Sequence, residues 1–476
     1  MVNLHGNYRM VINGETVSTD NSLPVYNPAT KEVIAQVPDC TRDMLERAVS
    51  GARDRFKSWS KLCIDERAVF VAKLADALEE RAEDFMALLT REQGKPRAGA
   101  EWEIYGSAAW LRAISEQKLE EEIVQEDDER SVVTRYTPVG VVGAIVPWNF
   151  PLLLTIWKIA PALMAGCTVI VKPSPYTPLC DLKFAEMALD ILPPGVLNCV
   201  SGGNEQGEWL TTHEDIAKIA FTGSTATGRK VMGSCATSIK RVTLELGGND
   251  PAIVLPDVEP KELAPKLFWA AFQNNAQFCN AAKRLYIHDS IYDELRDALA
   301  DYIHNEVVVG DGAQAETTLG PIQNSMQFEK VKKYFQDCHD NGYTFVTGGE
   351  IDDNAAGWFV PVSLVDNPPE DSLLVVEEPF GPILPLLRWT DEDDVVRRAN
   401  DTIYGLGASV WGKDSEATQR IAEKIEAGTV WINEVHQYSP GQAFGGHKQS
   451  GLGCENSLHG LKEYTNWQTI TRNKQA

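Results

Sequence analysis

From residue 139 onward the chain alternates short apolar, β-rich runs with longer stretches of helical periodicity, and this rhythm narrows the possible folds more than any other feature. Strands are expected at Val141–Ile145, 168–171, 196–200 and 216–221, with helices after Pro151, within 182–192 and around 205–211. A second series follows Asn249. It has a strand at 252–254, a helix from Pro260 to about Asn274, a strand at 285–287 and a helix through Tyr292–Glu306. Such βαβ alternation predicts doubly wound parallel sheets. With 476 residues the chain is too long for one core, so two α/β domains are expected. Residues 45–89 read as helical scaffold against the first sheet. Two segments fit neither domain: residues 131–136, which alternate like an exposed strand, and the tail 463–471. An open strand edge tends to recruit another strand.

The formal charge of −24 argues against nucleic acid and anionic membrane surfaces, both of which attract basic patches. The acidic run 120–129 reads as a solvated turn or linker. Nine cysteines are scattered without a C-x-x-C pair or a histidine at zinc spacing, so neither a disulfide scaffold nor a metal site is expected. That usage fits a reducing compartment. Residues 1–9 lack the basic start and apolar core of a signal peptide, and the cytoplasm is the expected location. The apolar stretch 141–171 is interrupted by Pro147, Asn149, Pro151, Lys158 and Pro161 and reads as strand-helix-strand rather than a membrane span.

Chemistry is concentrated in five places. Phe272-Gln273-Asn274-Asn275-Ala276-Gln277-Phe278-Cys279 offers a sulfur nucleophile, and Leu244-Glu245-Leu246-Gly247-Gly248 offers a carboxylate at a strand end beside a flexible turn, suited to general-base work. Pro147-Trp148-Asn149-Phe150-Pro151 holds an uncharged amide donor in a stiff turn, where it can aim at developing negative charge without titrating. The others are Glu377-Glu378-Pro379-Phe380-Gly381-Pro382 and Phe444-Gly445-Gly446-His447-Lys448-Gln449-Ser450-Gly451.

These five motifs, in their order along the chain, resemble those of the aldehyde dehydrogenase superfamily, and the resemblance runs from Asn27-Pro28-Ala29-Thr30 to the C-terminus. It implies two Rossmann-like α/β domains plus a small β bridging segment that builds a homodimer or homotetramer. Residues 1–118 and 139–248 would form a discontinuous dinucleotide-binding domain, 249–448 a catalytic domain, and 119–138 with 449–476 the bridging and oligomerisation segments. It also implies oxidation of a small-molecule aldehyde to its acid. Cys279 would form a thiohemiacetal and then a thioester, Asn149 would stabilise the oxyanion, and Glu245 would activate water to release the acid. Glu245 separates hydrolytic members from the CoA-acylating branch, which lacks it.

A G-x-G-x-x-G fingerprint is missing. Gly202-Gly203-Asn204-Glu205-Gln206-Gly207 and Phe221-Thr222-Gly223-Ser224-Thr225-Ala226-Thr227-Gly228 lie where strands pass into helices, where backbone N–H groups can cradle a pyrophosphate. By resemblance the cofactor is NAD, with NADP tolerated. Its contacts would come from Val146, Pro147, Trp148, Lys172, Ser174, Pro175, Gly207, Phe221, Gly223, Ser224 and Leu246. Lys172 would reach the adenine ribose, Ser224 a phosphate and Glu378 the nicotinamide ribose, with Phe380 near the ring. Pro175 stands where NAD-preferring members carry a glutamate that repels a 2′-phosphate.

By position in the family, Leu154, Trp157, Phe278, Tyr438 and Phe444 would line the substrate passage. This apolar, aromatic set favours aliphatic or aromatic aldehydes over those bearing a second carboxylate. Lys283 and Arg284 are expected to serve the following strand. Two departures stand out: Ala276 where glycine is usual, and Asn249 where lysine often follows the paired glycines. Two other readings are a catalytically silent binding protein and a cysteine acyltransferase or hydrolase without nicotinamide. The joint presence of Cys279, Glu245 and Asn149 opposes the first; Lys172, Ser224 and Glu378 oppose the second.

Overall fold

A computed structural model describes residues 6–475, so the signal-peptide reading falls partly outside the described residues. Eight strands form the first sheet, in spatial order Gly451–Leu452, Arg241–Glu245, Ile216–Thr222, Val141–Ile145, Thr168–Lys172, Leu197–Cys199, Met10–Ile12 and Glu15–Val17. The five consecutive strands from Arg241–Glu245 to Leu197–Cys199 are parallel. The chain winds outward from Val141–Ile145 through Thr168–Lys172 to Leu197–Cys199, then restarts on the opposite side with Ile216–Thr222. That reversal opens a crevice beyond the strand ends, the place where open α/β sheets hold ligands. The helices Arg42–Trp59, Ile64–Glu80 and Ala82–Gln93 occupy the stretch read as helical scaffold, and their buried faces join the core of this sheet.

Seven strands form the second sheet, ordered Thr344–Thr347, Ser363–Asp366, Ile383–Trp389, Ala282–His288, Asp250–Val254, Gly407–Trp411 and Thr429–Ile432. It too reverses, with Gly407–Trp411 and Ala282–His288 flanking Asp250–Val254. The helix Pro260–Phe272 stops short of Asn274, because Asn274, Asn275 and Ala276 take φ of 53°, 57° and 58°. Asparagine tolerates that left-handed region and alanine resists it, at a cost of about 1–2 kcal/mol. Ala276 therefore sits in backbone that glycine would adopt freely.

A separate three-stranded sheet joins Thr465–Asn473, Arg130–Pro138 and Glu122–Glu126. The acidic run is thus corrected in part: Glu122–Glu126 is strand, while 127–129 is a bend, and the whole run is exposed as a solvated segment would be. Glu122 is held by Tyr136 and Lys462, and Glu126 by Lys474, which offsets the like charges along it. The tail pairs with its own chain, from Thr465 opposite Pro138 to Asn473 opposite Arg130. Both outer strands of this sheet keep a free edge. Gly451–Leu452 instead lies antiparallel to Arg241–Glu245 and extends the first sheet.

Candidate active site

The Asn149 turn leaves the strand Val141–Ile145 and enters the helix Pro151–Ala165, whose opening proline is pre-set for a helix start. Three groups hold it. The Asn149 carbonyl accepts from Lys95 Nζ at 3.0 Å and from Asn274 Nδ2 at 3.1 Å, and Asn149 Nδ2 donates to the Gln277 carbonyl at 3.0 Å. One amide hydrogen is thereby spent on orientation and the second remains to be offered. Lys95 is ion-paired with Glu103, both fully buried, and Glu103 Oε1 accepts from the N–H groups of Leu152 and Leu153 at 3.0 and 3.3 Å. A carboxylate at a helix N-terminus meets unpaired N–H groups and the positive end of the dipole.

Cys279 follows the left-handed turn and keeps part of its surface open. Its Sγ lies 3.2 Å from Asn280 Oδ1. Burial pushes the thiol up to about 12; Asp250, Glu378 and Glu245 add to the rise, and the Lys283 ammonium opposes it. Glu245 ends the strand Arg241–Glu245, 3% exposed, and neither carboxylate oxygen has a hydrogen-bond partner. Burial holds its pKa well above the carboxylate range, Glu455 raises it further and Lys158 draws it down. Lys158, fully buried in the helix Pro151–Ala165, pairs with Glu455 and donates to Thr222 Oγ1 at 2.7 Å.

Asn149, Glu245 and Cys279 open onto a single cavity of about 510 Å³, part of it continuous with solvent. Leu154, Trp157, Phe278, Tyr438 and Phe444 all line it, as does Leu246. Edge-to-face contacts at 5.4 Å between Trp157 and Phe444 and at 5.9 Å between Tyr438 and Phe444 fix the aromatic wall. Thr222, Asn280 and Glu455 also line it and were missed by sequence reading. Lys158 carried a usable signal: a lone ammonium in an otherwise apolar helix requires a buried partner. Nothing local marked Glu455, which arrives from 297 residues away.

The proposed cofactor contacts fall along the carboxyl ends of adjacent strands, where Glu245 is in register with Thr222 and Ile145 with Lys172. Lys172 is 4% exposed, and burial lowers its pKa to about 8, with Asp39 opposing. Its Nζ makes one hydrogen bond, to the Pro173 carbonyl, so a buried ammonium retains spare hydrogens, as a site for ribose hydroxyls requires. Gly207 lies over it: a Cβ there would sit 3.8 Å from Lys172 Cδ. Ser224 caps the helix Thr225–Ala236 by accepting from Thr227 N–H and is exposed at its mouth, with Gly223 preceding it. A Cβ on Gly223 would press to 2.6 Å from the Phe221 ring. Val146 N–H donates to the Lys172 carbonyl at 3.2 Å, and Ser174 Oγ accepts from Tyr176 N–H at 3.3 Å, leaving Pro175 half-buried between them. The Trp148 and Phe380 rings meet edge-to-face at 5.4 Å beyond Pro147. These groups fit a dinucleotide.

Lys283 corrects the sequence reading. Arg284 does serve the second sheet, donating to the carbonyls of Asn249, Arg398 and Ala399. Lys283 turns the other way, donating to the Cys279 carbonyl and lying 3.2 Å from Glu378 Oε1. Asn249 is buried, its Nδ2 donating to the Val375 carbonyl at 2.8 Å.

A partly open thiol, an unpaired carboxyl group and an amide donor at the switch point of a dinucleotide-type sheet fit an α/β enzyme of thiol-dependent chemistry. The aldehyde dehydrogenase family model matches residues 16–470, and the chain belongs to that family. An aldehyde dehydrogenase of a Fusarium species is 40% identical over 465 residues, spanning 97% of this chain and 98% of that protein. The phenylacetaldehyde dehydrogenase of Pseudomonas fluorescens is 38% identical over 480 residues, spanning 97% and 95%. An NAD+ complex of an aldehyde dehydrogenase from Bacillus cereus superimposes with a TM-score of 0.96 at 36% identity, covering 99% of this chain and 97% of that one. The protein is an oxidoreductase that converts an aldehyde to its carboxylic acid with a nicotinamide cofactor.

Proposed function

We propose that the enzyme oxidises apolar aliphatic or aromatic aldehydes through covalent attachment to Cys279. The observation that carries this reading is the convergence of Cys279, Asn149 and the hydrogen-bond-free carboxylate of Glu245 on one aromatic cavity. The Cys279 thiol gives its proton to solvent through the open cavity, its sulfur bonds to the carbonyl carbon, and the carbonyl oxygen takes up the negative charge. The uncommitted amide hydrogen of Asn149 meets that charge without reorganising. A bound nicotinamide would supply the acceptor for the hydride on the former carbonyl carbon, and loss of that hydride would leave a thioester on Cys279. Glu245 then takes a proton from water, the water oxygen bonds to the thioester carbon, and the carbon–sulfur bond breaks to return the thiolate and release the acid. A carboxylate whose pKa is raised is a stronger base once ionised, which suits this step.

NAD is the proposed cofactor, held by Lys172, Ser224 and Glu378, with NADP tolerated because Pro175 offers no charge against a 2′-phosphate. Among the five predicted lining residues none is cationic, so a second carboxylate on the substrate would meet no partner there. The domain division at 118/139 and 248/249 is retained as a proposal, but 448/449 is not, since Gly451–Leu452 pairs in the first sheet and the tail joins the small sheet from Thr465. A homodimer or homotetramer is proposed on the small sheet, where Ile123, Val124 and Trp467 are 71%, 64% and 71% exposed on strands with free edges. The nine cysteines are all unpaired, which supports a reducing compartment such as the cytoplasm. No helix of the described residues is long and apolar enough to cross a membrane.

The test is the appearance of reduced nicotinamide across a panel of aliphatic, aromatic and carboxylate-bearing aldehydes. Preference for the carboxylate-bearing class would overturn the substrate reading.

A further inference from the structure

Three of the charges acting on Cys279 are carboxylates: Glu245, Asp250 and Glu378. A thiolate forming among them is repelled by each one that is ionised. Lys283 is the cation in that set, four residues beyond the sulfur at the start of the strand Ala282–His288 and only 4% exposed. Its Nζ reaches back to the Cys279 carbonyl, which keeps the ammonium within one residue's reach of the sulfur. The same nitrogen lies 3.2 Å from Glu378 Oε1, the oxygen that also accepts from Gly248 N–H at 3.1 Å. Glu378 thereby anchors the ammonium. A buried ammonium is costly unless paired and hydrogen-bonded, and this one has both kinds of partner.

We propose that Lys283 is a positioning residue that supplies the positive charge beside the Cys279 sulfur and ties the nucleophile's peptide to the carboxylate of Glu378. The inference rests on Cys279 being the nucleophile. The remaining ionisable neighbours do not substitute for Lys283. Asp250 is a buried acid pushed up to about 7 by burial, with Lys283 drawing it down. His436 is lowered to about 4 by burial and stays neutral at working pH; Nε2 lies 3.1 Å from the Asn280 carbonyl. Lys330, on the helix Ser325–Asp340, donates to the Glu378 carbonyl, and Arg284 faces the other side of the strand. Tyr438 is pushed up by burial and remains a neutral phenol.

An opposite charge nearby lowers a thiol pKa by about one to three units. Each unit removes tenfold in thiolate but returns about threefold in nucleophilicity, a net loss of about threefold. Lys283→Met should therefore slow alkylation of Cys279 by iodoacetamide at neutral pH by about 3- to 30-fold. The experiment follows the Cys279 peptide of the full-length enzyme by mass spectrometry across pH, with Lys283→Gln as a second neutral variant and Lys283→Arg as the charge-retaining rescue. The proposal expects both neutral variants to move the pH midpoint of alkylation upward and arginine to restore it in part. A slower reaction with an unmoved midpoint would mean a purely structural role and overturn it, as would superimposable profiles. Retained turnover in Cys279→Ala would sink the nucleophile assignment instead, so the two failures are separable.

Discussion

The ion pair between Lys95 and Glu103 is the buried device that fixes the oxyanion donor, and removing its charge should be costly. Both side chains are essentially inaccessible, at 2% and 0% exposure. Glu103→Gln keeps an oxygen for the N–H groups of Leu152 and Leu153 but leaves the Lys95 ammonium buried without its counter-charge. Breaking a buried pair on one side costs about 3–5 kcal/mol. Glu103→Ala should cost more, because two backbone N–H groups then lose their acceptor at about 1–3 kcal/mol each where water cannot reach. Replacing both partners, Lys95→Met with Glu103→Gln, should cost less than Glu103→Gln alone, since no unpaired charge remains and the two N–H groups keep an acceptor. Urea unfolding midpoints at fixed protein concentration measure all three. In the Gln variant, formation of reduced cofactor should also slow while dinucleotide binding persists, because the lysine that donates to the Asn149 carbonyl is no longer held by its carboxylate. A loss below about 1 kcal/mol in the single variants, or a double variant costing no less than Glu103→Gln alone, would refute the reasoning.

Pro175→Glu should depress NADP turnover far more than NAD turnover, read as kcat/KM for both cofactors; strict NAD specificity in the natural protein would show that another element excludes the phosphate. Turnover limited by thioester hydrolysis should rise with pH through the raised pKa of Glu245, because only the ionised carboxylate accepts the water proton. Lys158→Met removes the cation that opposes that rise and should move the limb to higher pH; an unmoved pH–kcat profile would detach Lys158 from Glu245. Deleting residues 466–476 strips the strand paired with Arg130–Pro138 and should lower the assembled mass in light scattering. An unchanged mass would reject the small sheet as the oligomer contact.

Local chemistry was legible where the residues needed for one task are adjacent in sequence. Asn149 between prolines, Glu245 at a strand end and Cys279 after a polar turn all open onto the cavity their motifs implied. The strands from Val141–Ile145 to Ile216–Thr222 were legible because fully buried parallel strands leave continuous apolar runs. The short strands Met10–Ile12 and Glu15–Val17 carry too few residues to show a period. The contacts that tune the site escaped because they join distant segments: Lys158 with Glu455, Lys283 with Glu378, Lys95 with the Asn149 turn. The tail and residues 131–136 were recognised as unaccommodated strands, but pairing them with the acidic run required three dimensions, since charge alone marks that run as solvated.

The central claim is that Cys279 carries the substrate and Glu245 releases it. In Glu245→Gln protein mixed with NAD and an accepted aldehyde, rapid quenching and mass spectrometry should find the Cys279 peptide heavier by one acyl group. A single burst of reduced cofactor should accompany it, followed by turnover about 100- to 10,000-fold slower than in the natural enzyme. An unmodified Cys279 peptide with burst and steady state lost together would contradict the account, placing Glu245 at thiol activation rather than at thioester hydrolysis.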